Sequence, residues 1–436
     1  LIMKSSILTF FLSLILGTIL AHGAVIMVSP EQSLQAAVNI ASSGDTIRIS
    51  EGVYSENITI TEKSLSLVVQ PGESVQINNI TASNPNAVQR SVYLKNLRIQ
   101  GDVNGTSHDF NIHGCNITGD VNVDQGSLTI IKSNVGANIF VNNSHRIGVP
   151  TMAQILQTTI PEKLTCKAGT SIIGYNSIRY AHIEGNSEIV GNHFNGRSLF
   201  GIGIDVNGSH TDAKIYNNRV HGYNNSTPNT FDSKCIGIRV HGNAKADIIN
   251  NVIYNCFESN YQGDENKAGI GIFVESTSGT SILGNVIFGC FVQGGTGNKP
   301  GHRLVWAPFA NVVFKHNYLW RSIGDLDAND FAFGGGVESI NNILEPSENA
   351  MSPFADKANG NFLPSANSPL INAGSPLPQY NDRDGSRNDI GMFGGHNFIP
   401  DGRTTDKPIV LGLDVAPIAV PTGGTVTIES TGATVK

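Results

Sequence analysis

Six short segments repeat one shape: an apolar pair, a small or polar residue, an asparagine, and an aliphatic residue two positions further on. They centre on Asn192 (IVGNHF), Asn218 (IYNNRV), Asn251 (IINNVI), Asn285 (ILGNVI), Asn317 (VFKHNYL) and Asn342 (INNIL). The steps between them are 26, 33, 34, 32 and 25 residues. A unit of that size cannot bury its own apolar face, so it must stack on copies of itself, and stacked copies make a solenoid. Fainter copies stand upstream at Asn96, Asn116, Asn134 and Asn176.

Around each asparagine, apolar and polar residues alternate over four to six positions, which is strand periodicity rather than helix periodicity. The chain must therefore bend between strands. Asparagine suits the bend because it tolerates left-handed backbone angles and its amide can bond locally, or to the asparagine one coil above. An antiparallel sandwich would instead need hairpin signals between strands, and repeated Asn-Gly or Asp-Gly hairpins are not the pattern of these repeats.

Aligning the repeats on their asparagine assigns directions to the side chains. Two residues after it stand Val220, Ile253, Ile287 and Leu319, which face the core; one residue later, facing out, come His221, Tyr254, Phe288 and Trp320. At the fifth position Cys256 and Cys290 are equivalent, one coil apart. A second strand recurs as GIGIDV at 201–206, CIGIRV at 235–240 and GIGIFV at 269–274. Its outward positions stack Asp205, Arg239 and Phe273, then Asn207, His241 and Glu275.

Lys4, the apolar run Ile7 to Leu20, and Ala21-His22-Gly23 read as a secretory signal over residues 1–23. Export places the protein outside the cell or on its surface, with no integral membrane span. The five cysteines, Cys115, Cys166, Cys235, Cys256 and Cys290, are too few for a disulfide framework. Cys256 and Cys290 are either one bond or two stacked thiols. A net charge of −7 argues against nucleic acid as a partner.

Ser29-Pro30-Glu31-Gln32 has the form of a capping box opening a helix that runs to Ser42, within an N-terminal cap at 24–45. The coils follow over 46–345, with a C-terminal cap region at 346–398. Residues 399–436, rich in proline around VLGLDVAPIAV, read as a linker entering a β module that anchors the protein. From Asn192 onward the extra residues of each repeat fall at one corner, 222–234, 255–268 and 289–302, where they form a wall beside one face.

The opening helix with GDTIRISEGVYSENITI, the asparagine turns, and the closing SPLINAGSP and DRDGSRNDIGMFGG together resemble secreted bacterial right-handed parallel β-helix proteins of the pectin-lyase-like superfamily. The resemblance covers roughly residues 28 to 398. It implies three strands per coil, an asparagine ladder between the second and third, GIxIxV as the first strand, and a sugar cleft over that strand. The motif sets of the polygalacturonases, the main pectate lyases and the alginate epimerases do not occur here, so the resemblance transfers no catalytic residue.

These columns point to an extracellular polysaccharide as partner. Adjacent coils lie ~4.8 Å apart, so Asp205 can touch Arg239, and His241 can touch Asn207 and Glu275. The corner insertions add Asp232, Lys234 and Lys267, with Glu258, Asp264 and Glu265. Elimination from a uronate needs a cation for its carboxylate (Arg239 or a bound Ca2+), a base (Lys234 or His241) and an acid. Hydrolysis needs two facing carboxylates, for which Asp205 and Glu275 are the candidates. The alternative is an ion ladder on the surface of an adhesion protein. The rings at His221, Tyr254, Phe288 and Trp320 either bind sugars or pack beneath the insertions. Asp382, Asp384 and Asp389 space their oxygens like a calcium loop, or else close the end of the fold through hydrogen bonds.

Overall fold

The structure is a computed structural model. It describes residues 23–86, 90–142, 151–225, 235–259, 269–293, 303–309, 311–320, 331–333, 337–345, 352–382, 384–395, 409–416 and 427–433. Parallel strands stack coil upon coil into a right-handed parallel β-helix. Fourteen strands, from Val25–Val28 to Glu338–Ile340, form one face, here called the side sheet. The other coil strands make two further faces, the ring sheet just after the asparagine turn and the front sheet carrying GIxIxV. Long strands such as Ser177–Ile183 turn the corner between those two.

The asparagines lie one above another. Asn176, Asn192, Asn218, Asn251, Asn285, Asn317 and Asn342 form a continuous column in which each Nδ2 donates to the next Oδ1 at 2.9–3.0 Å. The same Oδ1 accepts the backbone N–H of the preceding ladder residue, and each Nδ2 also reaches a carbonyl of the coil before, as Asn218 does to Ile189 at 2.8 Å. The left-handed residue is not the ladder asparagine but the one before it: Tyr175, Gly191, Asn217, Asn250, Gly284, His316 and Asn341 all have φ between 55° and 65°. Upstream the column continues through Thr158, Ser133 and Cys115. Asn116 and Asn134 sit one residue beyond it, exposed on strands, and Asn96 takes the left-handed position. The three fainter repeats were therefore out of register by one residue.

The GIxIxV glycines have a packing cause. A Cβ on Gly203, Gly237 or Gly271 would lie 2.6 Å from the carbonyl oxygen of the next coil. Beside them sit Tyr223, Cys256 and Cys290, the fifth residues after their asparagines, in the space the missing side chains leave. Both cysteines, like the other three, are buried free thiols; Cys290 Sγ faces the Phe288 carbonyl.

The N-terminal end differs from the sequence expectation in two ways. Strand Val25–Val28 is already part of the side sheet, and the helix spans only Leu34–Ile40, with Ser33 as its N-cap. Ser29 and Gln32 make only half of a capping box, Ser29 N–H donating to Gln32 Oε1, around an isolated turn closed by the Gln32 N–H bond to the Ser29 carbonyl. Glu56 takes over the helix N-terminus, accepting from Ser33 Oγ and from the N–H groups of Leu34 and Gln35, while Lys63 Nζ donates to the last carbonyls. Two distant charges matched to the helix dipole thus seat the helix on the coils. No helix among the described residues is long and apolar enough to cross a membrane.

The outer face of the ring sheet is covered by the C-terminal segment. Phe354, Phe362, Leu370, Ile390 and Met392 pack on Val252, Val286 and Tyr318 and on the rings of Tyr254, Phe288 and Trp320. The segment is latched at the asparagine corner: Asn217 Nδ2 donates to the carbonyls of Met392 and Gly394, and Asn250 exchanges bonds with Asn388. Beyond it, Ile409–Ala416 and Thr427–Ala433 pair antiparallel.

Replacing Asn251 by Ala removes the amide from both neighbouring turns at a site with no solvent access, and is expected to cost about 2–4 kcal/mol in urea unfolding. Asn116→Ala, off the column and exposed, is expected to change stability by less than about 0.5 kcal/mol. In Trp306→Phe protein, fluorescence reports Trp320 alone; its emission should be blue-shifted and scarcely quenched by acrylamide, because only 4% of the residue is exposed.

Candidate functional site

Strand alternation sends Ala181, Ile204, Ile238 and Ile272 into the core of the front sheet and their neighbours outward. The outward residues form two adjacent columns. One runs His182, Asp205, Arg239, Phe273, Trp306; the other runs Lys167, Glu184, Asn207, His241 and on to Glu275. Asp205 and Arg239 are register partners, as are Asn207 and His241.

The contacts run both along the columns and between them: His182 meets Asp205, and Lys167 and Asn207 meet Glu184, within a column, while His241–Asp205 and Arg239–Glu275 are diagonal. Asp205 meets His182 Nδ1 at 2.9 Å through Oδ2, and His241 Nε2 at 3.0 Å through Oδ1. The second is a close approach whose angles are not those of a hydrogen bond. Arg239 turns away from Asp205 to Glu275, with Nε 2.6 Å from Oε2. Glu184 Oε1 gathers His182 Nε2 at 3.0 Å, Lys167 Nζ at 3.1 Å and, at 3.5 Å, Asn207 Nδ2. Acids thus meet bases both one coil away in the same column and in the neighbouring column, so each carboxylate of the track lies against at least one basic side chain.

Both ring nitrogens of His182 face carboxylates, so both must donate, which describes an imidazolium. Its pKa is raised from the ordinary 6.5, chiefly by the hydrogen bond to Asp205, against burial and with help from Glu184. Burial pushes Asp205 upward, but His182 and His241 outweigh it and hold the carboxyl well below the usual range. For Glu184, too, burial works upward, and His182 and Lys167 pull the net value down. Asp205 is thus an ionised carboxylate between two imidazoles.

Of the residues singled out in the sequence, Asp205, Arg239, His241 and Glu275 come together here. Asp232, Lys234 and Lys267, with Asp264 and Glu265, lie outside the described residues, as does the side chain of Glu258. The insertions do leave in register: Asn224 and Asn225 pair with Phe257 and Glu258, and these with Phe291 and Val292. Lys167, His182 and Glu184 were missed, although the alternation in Tyr180-Ala-His-Ile-Glu points both polar side chains outward. Their coil lacks the glycine signature by which the front strands were recognised.

The proposed sugar strip is not available as one. His221, Tyr254, Phe288 and Trp320 stack with centroids 4.6 to 5.6 Å apart, but Tyr254, Phe288 and Trp320 are buried beneath the C-terminal segment. Arg219 closes the stack, its Nε 2.9 Å from Tyr254 Oη and its guanidinium over Phe362. His221 is half-buried against His193, and burial with the nearby Arg219 takes its pKa down to about 3.

The aspartates proposed for calcium are likewise engaged by backbone. Asp382 accepts from the N–H of Asp389 and Gly395, Asp384 from Ser386, and Asp389 from Asn372. They close the C-terminal turn, and among the described residues no group of three or more His, Cys, Asp or Glu side chains is arranged to hold a metal ion.

No protein-family model and no curated protein matches the chain. Among solved structures, a pectate lyase, Pel9A, aligns with it at a TM-score of 0.34 and 16% identity, over 85% of this chain and 96% of the lyase. At that level of likeness the lyase's chemistry does not transfer.

The sign of each shift sets a pH window. His182, raised above 6.5, contributes stability that is fully present below 6.5 and lost as pH rises through its folded value. Asp205 and Glu184, lowered from 3.8 and 4.5, contribute above those values and lose it as pH falls through the depressed ones. NMR titration is expected to place His182 above 6.5, and Asp205→Asn to return it toward 6.5.

Proposed function

We propose that this chain is an exported protein of the pectin-lyase-like superfamily that cleaves an extracellular, uronate-containing polysaccharide along its front sheet. The observation that carries the reading is the charged track itself: the linked side chains of Lys167, Glu184, His182, Asp205 and His241, continued on the same two columns by the Arg239–Glu275 pair. It spans five coils, about 19 Å at ~4.8 Å per coil, along the direction in which a linear polymer would lie.

The arrangement favours elimination over hydrolysis. A glycosidase needs one carboxyl kept protonated as an acid. Here Asp205 is held ionised by two imidazoles and Glu275 is clamped by Arg239. Elimination can instead use the imidazoles. His241, oriented by Asp205, takes the C5 proton; the C4–C5 double bond forms as the C4–O bond breaks; and His182, held as an imidazolium, returns a proton to the leaving oxygen. Arg239 offsets the charge developing on the uronate carboxylate, sharing its guanidinium with Glu275. Ca2+ is proposed as an assistant in that neutralisation, and residues 399–436 as the start of a surface anchor.

A second reading, a non-catalytic glycan-binding surface protein, is favoured by the fact that each ionised group of the track already has a partner. The test is incubation with a panel of uronate polymers, with added Ca2+ and with chelator, following unsaturated product by its ultraviolet absorbance. Product is expected, with kcat lowered about 10²–10⁴-fold in His241→Ala and KM raised in Arg239→Lys. Retardation by a polymer without product would support the binding protein, and neither product nor retardation would overturn both readings.

A further inference from the structure

The side sheet carries a separate feature on its outer face. A groove of about 360 Å³ is lined by Thr170, Ser171, Asn186, Glu188, Asp212 and Lys214. A cavity of about 230 Å³ is lined by Glu188, Lys214, Tyr216, Gln379 and Tyr380 among others. They share Glu188 and Lys214, so groove and cavity lie side by side on the sheet. Register places their lining on four successive coils, those of Thr170, Asn186, Asp212 and Lys245, a run of about 14 Å at ~4.8 Å per coil.

The cavity end is built rather than incidental. Its far wall is the C-terminal segment around Asn388 and Gly394, held in place by the buried amides of Asn217 and Asn250. Those two asparagines are the left-handed corner residues of their coils, so the wall is tied to the most rigid part of the solenoid. In the front track charge meets charge. Here, among the described residues, the side-chain tips of Glu188, Lys214, Tyr216, Gln379 and Tyr380 have no hydrogen-bond or ion-pair partner within the protein. They are donors and acceptors of both kinds, set around two half-buried phenol rings.

We infer that this groove is a second carbohydrate site, which takes the end of a neutral oligosaccharide. Sugar hydroxyls donate and accept at once, which suits an ammonium, a carboxylate and an amide placed together, and the C–H faces of a sugar suit the tyrosine rings. Neutrality follows from the charge. Glu188 and Asp212 line the groove with Lys214, and register sets Asp247 beside Lys214 and Lys245 beside Asp212, which leaves three carboxylates to two ammoniums. A uronate polymer would meet net repulsion here, whereas the front track offers it Arg239. The inference does not rest on the front-sheet chemistry, since it needs neither His241 nor any turnover.

The experiment is calorimetric titration of the whole protein with neutral cello-, xylo- and manno-oligosaccharides and with oligogalacturonate. Binding of at least one neutral series is expected, weakened about tenfold by Tyr380→Ala and by the exposed-site pair Glu188→Ala with Lys214→Ala, and unchanged by His241→Ala. The exposed pair guards against misfolding, because neither side chain supports the core. Three results would overturn the inference: no binding of any neutral series, binding that survives both groove variants, or binding lost in His241→Ala and so located on the front sheet.

Discussion

A column of buried amides holds this molecule in register. Along the ladder each asparagine bonds the backbone of the coil before it and the side-chain amide of the next asparagine, in a place where an unpaired amide would cost about 1–3 kcal/mol. The residue before it turns the chain through left-handed angles. Because every coil makes the same corner, residues 16 to 34 positions apart in sequence become lateral neighbours at the spacing of hydrogen-bonded strands. The charged columns, the ring stack and the glycine file are all consequences of that one alignment.

Alignment also creates a difficulty, since a stack of identical strands exposes whole columns of like side chains. The ring sheet solves it with a cover. Val252, Val286 and Tyr318, together with the stacked rings, would leave a continuous apolar face in water, and the C-terminal segment removes it. The front sheet solves it with charge, by setting acids against bases within and between its columns. The side sheet is left with a groove whose polar tips are unpaired, and that contrast separates a face that is closed from two that can meet a ligand.

Much of this was legible in the chain, and the failures are instructive. Asn218, Asn251, Asn285 and Asn317 announce the column because their amides repeat with an aliphatic residue two positions on. Cys115, Ser133 and Thr158 hold the same position without that label, since a hydroxyl or thiol can cap a corner more weakly. The bystanders Asn116 and Asn134 therefore looked like ladder residues. Ser29 carried a complete capping-box sequence yet caps only a turn, because Ser33 with the distant Glu56 offers the helix a stronger terminus. His182 and Glu184 escaped notice since their coil is short and has no bulky fifth residue requiring a glycine opposite.

Local periodicity and the chemistry of asparagine were enough, from sequence alone, to determine the strand pattern, the stacking and which residues face outward. Which outward residues remain in water was decided only by tertiary structure. The cover over Tyr254, Phe288 and Trp320 comes from a segment that joins them through no repeat, and burial by a distant segment leaves no periodic trace. Pairing was likewise settled in space: Arg239 could reach Asp205 or Glu275, and it takes Glu275 where His182 and His241 already stand at the two oxygens of Asp205. Sequence spacing sets which side chains are neighbours, while the balance of charge among all of them sets which contacts form.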